Sequence, residues 1–132
     1  MTRTGVVLLV HSGRVLVLLR GATAPWFPLH WNLPGGIADE GESPEAAAAR
    51  ECVEETALWP ITLRPLRTVD MGDDGLLYAY VSEVGEGPVR TCWESESHAW
   101  IGLGDVEGYS FVPHVADLIR EALEVQVEHP RA

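Results

Sequence analysis

The sequence predicts an α/β fold in which a mixed β-sheet lies between helices. Residues 6–10 and 15–19 are leucine-rich, β-branched runs of strand length. A helix start follows at Ser43, and residues 112–127 carry an apolar stripe at helical spacing. With 132 residues and 46% apolar content, we expect one domain over residues 1–132, built on one core.

The first two runs are separated by His-Ser-Gly-Arg, a tight-turn sequence, at residues 11–14. We therefore predict a β-hairpin that is buried on both faces. A loop rich in proline and aromatic residues follows at 22–30 and leads into residues 31–36. Because loops commonly carry recognition residues, this loop is the best candidate for a specificity element.

The segment after this loop has the features of a deliberate helix start. Ser43 is a good N-cap, Pro44 suits the first helical position, and Glu45 lies near the positive end of the helix dipole. We expect the helix to pack on the sheet through a small-residue face opposite its carboxylates. That predicted face consists of Ala46, Ala49, Cys52, Val53 and Ala57.

Three further strands and a second helix complete the predicted architecture. Strands are expected around residues 61–69, 76–84 and 98–101, with turns at 70–75 and 85–87. The C-terminal stripe predicts a surface helix packed along one side. Its members are Val115, Leu118, Ile119, Ala122 and Gln126.

Composition excludes several classes of function. The net charge of −11 argues against nonspecific nucleic-acid binding, which needs a basic surface. All nine cationic side chains other than histidine are arginines, so lysine Schiff bases and Walker-type phosphate loops are excluded. Cys52 and Cys92 are too few for a disulfide framework or zinc ribbon, and Cys52 is predicted to be a buried, reduced thiol.

No membrane or secretory signal is apparent in the sequence. Nothing approaches the 18 or more apolar residues of a membrane span, and the N-terminal apolar run lacks a signal-peptide layout. We therefore predict a soluble, cytoplasmic protein without a membrane partner. The five histidines share no close spacing, so no histidine metal site is predicted.

Three glutamates form the main chemical signal. On a helix, Glu51, Glu54 and Glu55 fall within an arc of roughly 100° and share one face. Like charges three or four residues apart destabilise a helix by about 0.2–0.5 kcal/mol per pair. A divalent cation bound between the carboxylates would remove this repulsion. Hard oxygen ligands without nearby histidine or cysteine favour Mg²⁺ or Mn²⁺ over zinc.

Residues 36–58 resemble the Nudix box, the signature of hydrolases that act on nucleoside diphosphates linked to another moiety. The chain is similar to the short, single-domain, MutT-like members of that family. Two positions depart, since Cys52 replaces an aliphatic residue and Ala57 replaces the final glycine. The matching positions are Gly36, Glu42, Arg50, Glu51, Glu54, Glu55 and Leu58.

The resemblance implies an α/β/α sandwich and a role for each matching residue. Metal ligands are implied at the carboxylates of Glu51, Glu54 and Glu55 and at the carbonyl of Gly36, with Mg²⁺ or Mn²⁺ as the cofactor. Arg50 and its implied partner Glu42 are expected to orient these carboxylates.

The general base stays open, because family members use either a box glutamate or a carboxylate from a distant loop. Glu94 and Glu96 are candidates for the distant role, with a solvated acidic turn as the alternative. The family glycine usually adopts a left-handed conformation at a helix end. We predict that Ala57 instead extends the helix until Pro60 stops it.

Six aromatic residues are candidates for stacking on a base, with a core role as the alternative for each. Among them, Trp26 and Phe27 are favoured because they lie in the proline-rich loop. Arg20, at the end of the second strand, suits either a phosphate contact or a surface charge. The remaining aromatic candidates are Trp31, Tyr78, Tyr80 and Phe111.

These observations favour a metal-dependent hydrolase of a nucleoside triphosphate or a nucleoside diphosphate derivative. One alternative is a sensor domain that binds a nucleotide metabolite without turnover. A weaker alternative is an isomerase acting on a diphosphate. The expected partner is a small nucleotide-type molecule and not a nucleic-acid polymer, and the oligomeric state is left open, with a homodimer as one option.

Overall fold

The computed structural model describes residues 1–60, 62–84, 89–90 and 95–128. Two short 3-10 helices, Gly72–Asp74 and Leu103–Gly108, accompany the main elements. In chain order the strands and α-helices are β1 (Arg3–His11), β2 (Arg14–Arg20), β3 (Trp31–Asn32), β4 (Gly35–Ile37), α1 (Pro44–Thr56), β5 (Arg64–Asp70), β6 (Leu76–Glu83), β7 (Ser95–Ile101) and α2 (Val115–Glu128).

The predicted mixed sheet is confirmed, and strand β1 lies at its centre. It pairs in parallel with β6 along its length, from Arg3 opposite Leu76 to Val10 opposite Glu83. Every other pairing is antiparallel among the described strands: β1 with β2 and β4, β2 with β3 and β7, and β5 with β6. The main path through the sheet runs β3-β2-β1-β6-β5.

The predicted hairpin is confirmed. Ser12 and Gly13 connect β1 to β2 with positive φ values of 50° and 74°, the conformation that a two-residue hairpin turn of type I′ requires. Residues 5–10 and 15–18 are buried, because the sheet is covered on both faces.

Alternating residues of β1 face two separate apolar clusters. Val6, Leu8 and Val10 belong to the cluster that includes α2. Val7 and Leu9 belong to the cluster on the opposite face, which includes Ala48 and Cys52 of α1. The sheet therefore lies between the two helices, and the predicted α/β/α arrangement is confirmed.

The predicted packing face of α1 is wrong. Only Cys52 of the predicted set is buried, while Ala46 and Ala57 are exposed, and Ala49 and Val53 are half-buried. The helix packs instead through Pro44, Ala47, Ala48, Cys52 and Thr56. Glu51 and Glu55 follow Ala47 and Ala48 by one and two helical turns, so they lie at the border of this face and not opposite it.

Helix α1 starts as predicted but ends earlier. The Ser43 hydroxyl accepts a hydrogen bond from the Ala46 N–H at 3.1 Å. Ala57 does not extend the helix: it has a left-handed backbone, with φ 63°, and its N–H donates to the Val53 carbonyl at 2.9 Å. Alanine thus takes the conformation of the family glycine, because this geometry satisfies a carbonyl at the helix end.

The remaining elements lie close to their predicted positions. Strands β5, β6 and β7 are present with shifted ends, and α2 buries Val115, Leu118, Ile119 and Ala122, together with Leu123. The sequence did not predict the short strands β3 and β4. The predicted turn at 85–87 and the side chain of Gln126 lie outside the described residues. None of the described helices is long and apolar enough to span a membrane.

Candidate active site

Arg50 is the centre of an ion-pair network on α1. Its Nε and Nη2 atoms donate to the two carboxylate oxygens of Glu42 at 2.9 and 3.0 Å, a bidentate pair. Its Nη1 atom donates to Glu51 Oε1 at 2.9 Å and lies 3.5 Å from Glu54 Oε1. One guanidinium therefore holds the loop before the helix to two carboxylates on the helix.

The Glu42 carboxylate also fixes the loop that carries it. Glu42 Oε1 accepts a hydrogen bond from the Asp39 N–H at 2.9 Å, and the Glu42 carbonyl accepts one from Arg3 at 2.9 Å. Hydrogen bonds from Arg50 and then from the Asp39 N–H lower the pKa of Glu42 from 4.5 to about 2. The pair with Glu42 likewise raises the pKa of Arg50, so the network stays charged at neutral pH.

Gly36 permits the close approach of Glu51 to strand β4. A side-chain carbon at position 36 would lie 2.7 Å from both Cγ and Cδ of Glu51, closer than carbon atoms normally come. Glycine is therefore required at position 36 on steric grounds. Glu51 is largely shielded, with its side chain 24% exposed.

Glu55 is tied to the same strand by a backbone contact. The Gly35 N–H donates to Glu55 Oε1 at 2.8 Å. A side chain at position 35 would collide with the Gly5 carbonyl on β1. Glu54, with 56% of its side chain exposed, is the most open of the three glutamates.

The candidate metal ligands around strand β4 are carboxylate and carbonyl oxygen atoms. Oxygen ligands of this kind suit a hard divalent cation. Across the described ranges of the chain, however, no three His, Cys, Asp or Glu side chains are already grouped as a metal cluster. Arg50 attracts Glu51 and Glu54, and Glu55 accepts from Gly35. We call Glu42, Arg50, Glu51, Glu54 and Glu55, together with Gly36, the carboxylate cluster. Its catalytic role stays a prediction.

Three of the predicted substrate residues meet at a second location. Arg20, Trp26 and Phe27 line a pocket of about 320 Å³, which we call the aromatic pocket. Arg20 is held there because its Nε donates to the Trp26 carbonyl at 2.8 Å. The other lining residues are Met71, Asp74, Val112, Pro113 and His114.

The structure does not bring Trp31 or Tyr80 to this pocket. Trp31 is half-buried and packs edge-to-face on Tyr109, with ring centroids 5.1 Å apart. Tyr80 is only 8% exposed and belongs to the core on the α1 side, where burial raises its pKa. Both are better explained as packing residues, and so are Tyr78 and Phe111, which pack against the two cores.

Sequence reasoning missed the pocket residues that come from outside the aromatic loop. Met71 and Asp74 lie in the turn before β6, and residues 112–114 lie just before α2. No local spacing connects these segments, since only the folded sheet places them together. The possible base Glu94 and the side chain of Glu96 lie outside the described residues.

Comparisons with known proteins agree with this architecture. The chain is 32% identical over 121 residues to an RNA pyrophosphohydrolase of Caulobacter vibrioides, an alignment covering 91% of this chain and 63% of that protein. The chain thus spans less than two thirds of the length of that relative.

Solved structures show the same fold. The MutT protein of Methanosarcina mazei superposes with a TM-score of 0.78 at 22% identity, covering 98% of this chain and 96% of that one. The NUDIX domain of Shewanella oneidensis NrtR, solved in complex with ADP ribose, superposes with a TM-score of 0.75 at 27% identity, covering 94% and 86%. The family model of the NUDIX domain matches residues 1–122. The chain therefore belongs to the Nudix family.

Proposed function

We propose that the chain is a Mg²⁺- or Mn²⁺-dependent hydrolase of a nucleoside triphosphate or of a nucleoside diphosphate linked to another moiety. Water would attack a phosphoanhydride of the substrate. The observation that carries this proposal is the carboxylate cluster, in which Arg50 joins Glu42 to Glu51 at strand β4. Nudix hydrolases as a family use divalent metal ions, and this donor set is of the kind that such ions bind.

The residues of the cluster divide into two roles. Glu51, Glu54 and Glu55, with the Gly36 carbonyl, would hold the metal ion, which neutralises phosphate charge and lowers the pKa of bound water. Arg50 and Glu42 would position Glu51 through the bidentate pair. The group that accepts the proton of the attacking water would be either a box glutamate or a carboxylate from a distant loop.

The substrate is proposed to be a small molecule. The Caulobacter relative is named for an activity on RNA, but the net charge of −11 gives this chain little basic surface for a polymer. Arg20, Trp26 and Phe27 are proposed to contact the organic part of the substrate in the aromatic pocket. A cytoplasmic location and a possible homodimer stay predictions.

The alternative is a domain that binds a nucleotide metabolite without turnover. The complex of the Shewanella neighbour with ADP ribose supports this alternative. Both functions require binding, so turnover separates them.

The test is phosphate or pyrophosphate release with Mg²⁺, Mn²⁺ or EDTA across nucleoside triphosphates, nucleotide sugars, ADP-ribose, dinucleoside polyphosphates and a 5′-triphosphorylated RNA. A phosphatase is coupled to the assay where hydrolysis yields phosphate monoesters and no free phosphate, as with ADP-ribose and nucleotide sugars. We expect metal-dependent turnover of at least one small nucleotide and its loss in Glu55→Gln. Glu45→Gln is the matched control, because Glu45 is exposed in the first turn of the same helix. Binding without turnover would favour the sensor, and activity confined to RNA would contradict the small-molecule proposal.

A further inference from the structure

The turn between β5 and β6 contributes Asp74 to the lining of the aromatic pocket, on a backbone that is held in place. The Met71 N–H donates to the Gly75 carbonyl at 2.8 Å, and the Gly72 N–H donates to Asp70 Oδ1 at 2.9 Å. Gly75 has a φ of 89°, and a side chain there would collide with the Thr2 carbonyl. The backbone that carries Asp74 is thus held on both sides.

The Asp74 carboxylate is available to a ligand. Among the described residues, no group donates a hydrogen bond to the Asp74 carboxylate and no cation pairs with it, although Arg20 lines the same pocket. Arg20 instead donates to the Trp26 carbonyl. Because an ionised carboxylate only accepts hydrogen bonds and does so with two oxygens, it pairs best with two adjacent donors.

The other walls of the pocket suit a flat aromatic ring. Trp26 is 72% exposed and Phe27 45% exposed, while Met71, Val112 and Pro113 add apolar surface. Two lining residues, Phe27 and His114, have φ values of 46° and 75°, which non-glycine residues rarely adopt. Such backbones occur frequently at ligand sites.

We propose that Asp74 makes the aromatic pocket selective for a base with two adjacent N–H donors, as guanine presents at its N1 and 2-amino positions. Hypoxanthine lacks the 2-amino group, and adenine and cytosine place one donor beside an acceptor, which the carboxylate would repel. This inference rests on the proposed function only in taking the ligand to be a nucleotide.

The test is calorimetric binding of GMP and IMP, which differ only by the 2-amino group and contain no phosphoanhydride to hydrolyse. We expect GMP to bind roughly tenfold more tightly than IMP, the effect of one hydrogen bond to a charged group. Asp74→Asn, whose amide combines an acceptor with a donor, is expected to abolish this preference. Asp73→Asn, the same charge change at the neighbouring exposed residue, is expected to retain it.

Equal affinities for GMP and IMP, an unchanged preference in Asp74→Asn, or no GMP binding at millimolar concentration would each overturn the inference. Because neither ligand can be hydrolysed at an anhydride, these outcomes are independent of catalysis. A preference for GMP in a chain that hydrolyses no nucleotide would support Asp74 selectivity while contradicting the proposed hydrolase.

Discussion

The carboxylate cluster and the aromatic pocket are built in opposite ways. The cluster comes from one continuous segment, residues 36–55, and its polar groups pair with one another. The pocket comes from separate parts of the chain, and its Asp74 and Trp26 are exposed. The proposed catalytic residues are thus encoded by local spacing, whereas the proposed substrate pocket depends on segments that only the fold brings together.

Gly36→Ala tests the cluster most severely. The added methyl would lie 2.7 Å from Glu51 Cγ and Cδ and must displace that carboxylate. We expect roughly a 100-fold loss of kcat/KM, since a shift of about 1 Å at a catalytic group has that effect. Gly104→Ala, where no atom lies within 4 Å, is the control and should retain activity. A fully active Gly36→Ala would contradict the assignment of Glu51.

Arg50→Lys separates the charge of the network from its geometry. Lysine keeps the positive charge but loses the bidentate pair with Glu42. We expect kcat/KM to fall about 10- to 100-fold, the usual effect of losing a residue that orients metal ligands. The affinity for a nucleotide in the aromatic pocket should change little. An equal loss of kcat/KM and of nucleotide affinity would mean that the cluster and the pocket do not act independently.

Ala57→Gly tests the helix end beside the cluster. Glycine adopts the left-handed conformation freely, so we expect the free energy of unfolding to rise by about 1 kcal/mol. Urea unfolding measures this free energy. The control is Ala46→Gly, at an exposed position within the helix, which is expected to lower the stability instead. If Ala57→Gly were less stable than the wild type, Ala57 would not have the left-handed backbone conformation.

The pH dependence of stability gives the smallest expected effect. The pKa of Glu42 is lowered to about 2 in the folded chain, so its stabilising contribution is present above its ordinary pKa of 4.5 and is lost as pH falls towards 2. The difference in unfolding free energy between the wild type and Glu42→Gln should therefore shrink over that window. A difference that stays constant from pH 7 to pH 2 would argue against the Glu42–Arg50 pair.

The same contrast explains what could be predicted from sequence. The hairpin at Ser12 and Gly13 and the start of α1 at Ser43 depend on neighbours within a few residues, so local rules predict them. The pairing of Arg50 with Glu42 followed from the resemblance to the Nudix box, while the catalytic roles of the box residues stay predictions. The predicted packing face of α1 was wrong, because the helix packs through Ala48 and Cys52 on residues of the distant strand β1, a contact that only the fold creates. Tyr80 and Trp31 were assigned to substrate because an aromatic residue alone does not tell core from pocket.

The most direct measurement of the central claim is turnover of the preferred nucleotide in H₂¹⁸O, followed by mass analysis of the products. Water attack on a phosphoanhydride predicts one ¹⁸O atom in one phosphate-bearing product, present with Mg²⁺ and absent with EDTA or in Glu55→Gln. Conversion without ¹⁸O would indicate isomerisation or transfer to another acceptor. Binding of the nucleotide without any labelled product would contradict the hydrolase and leave a nucleotide-binding domain.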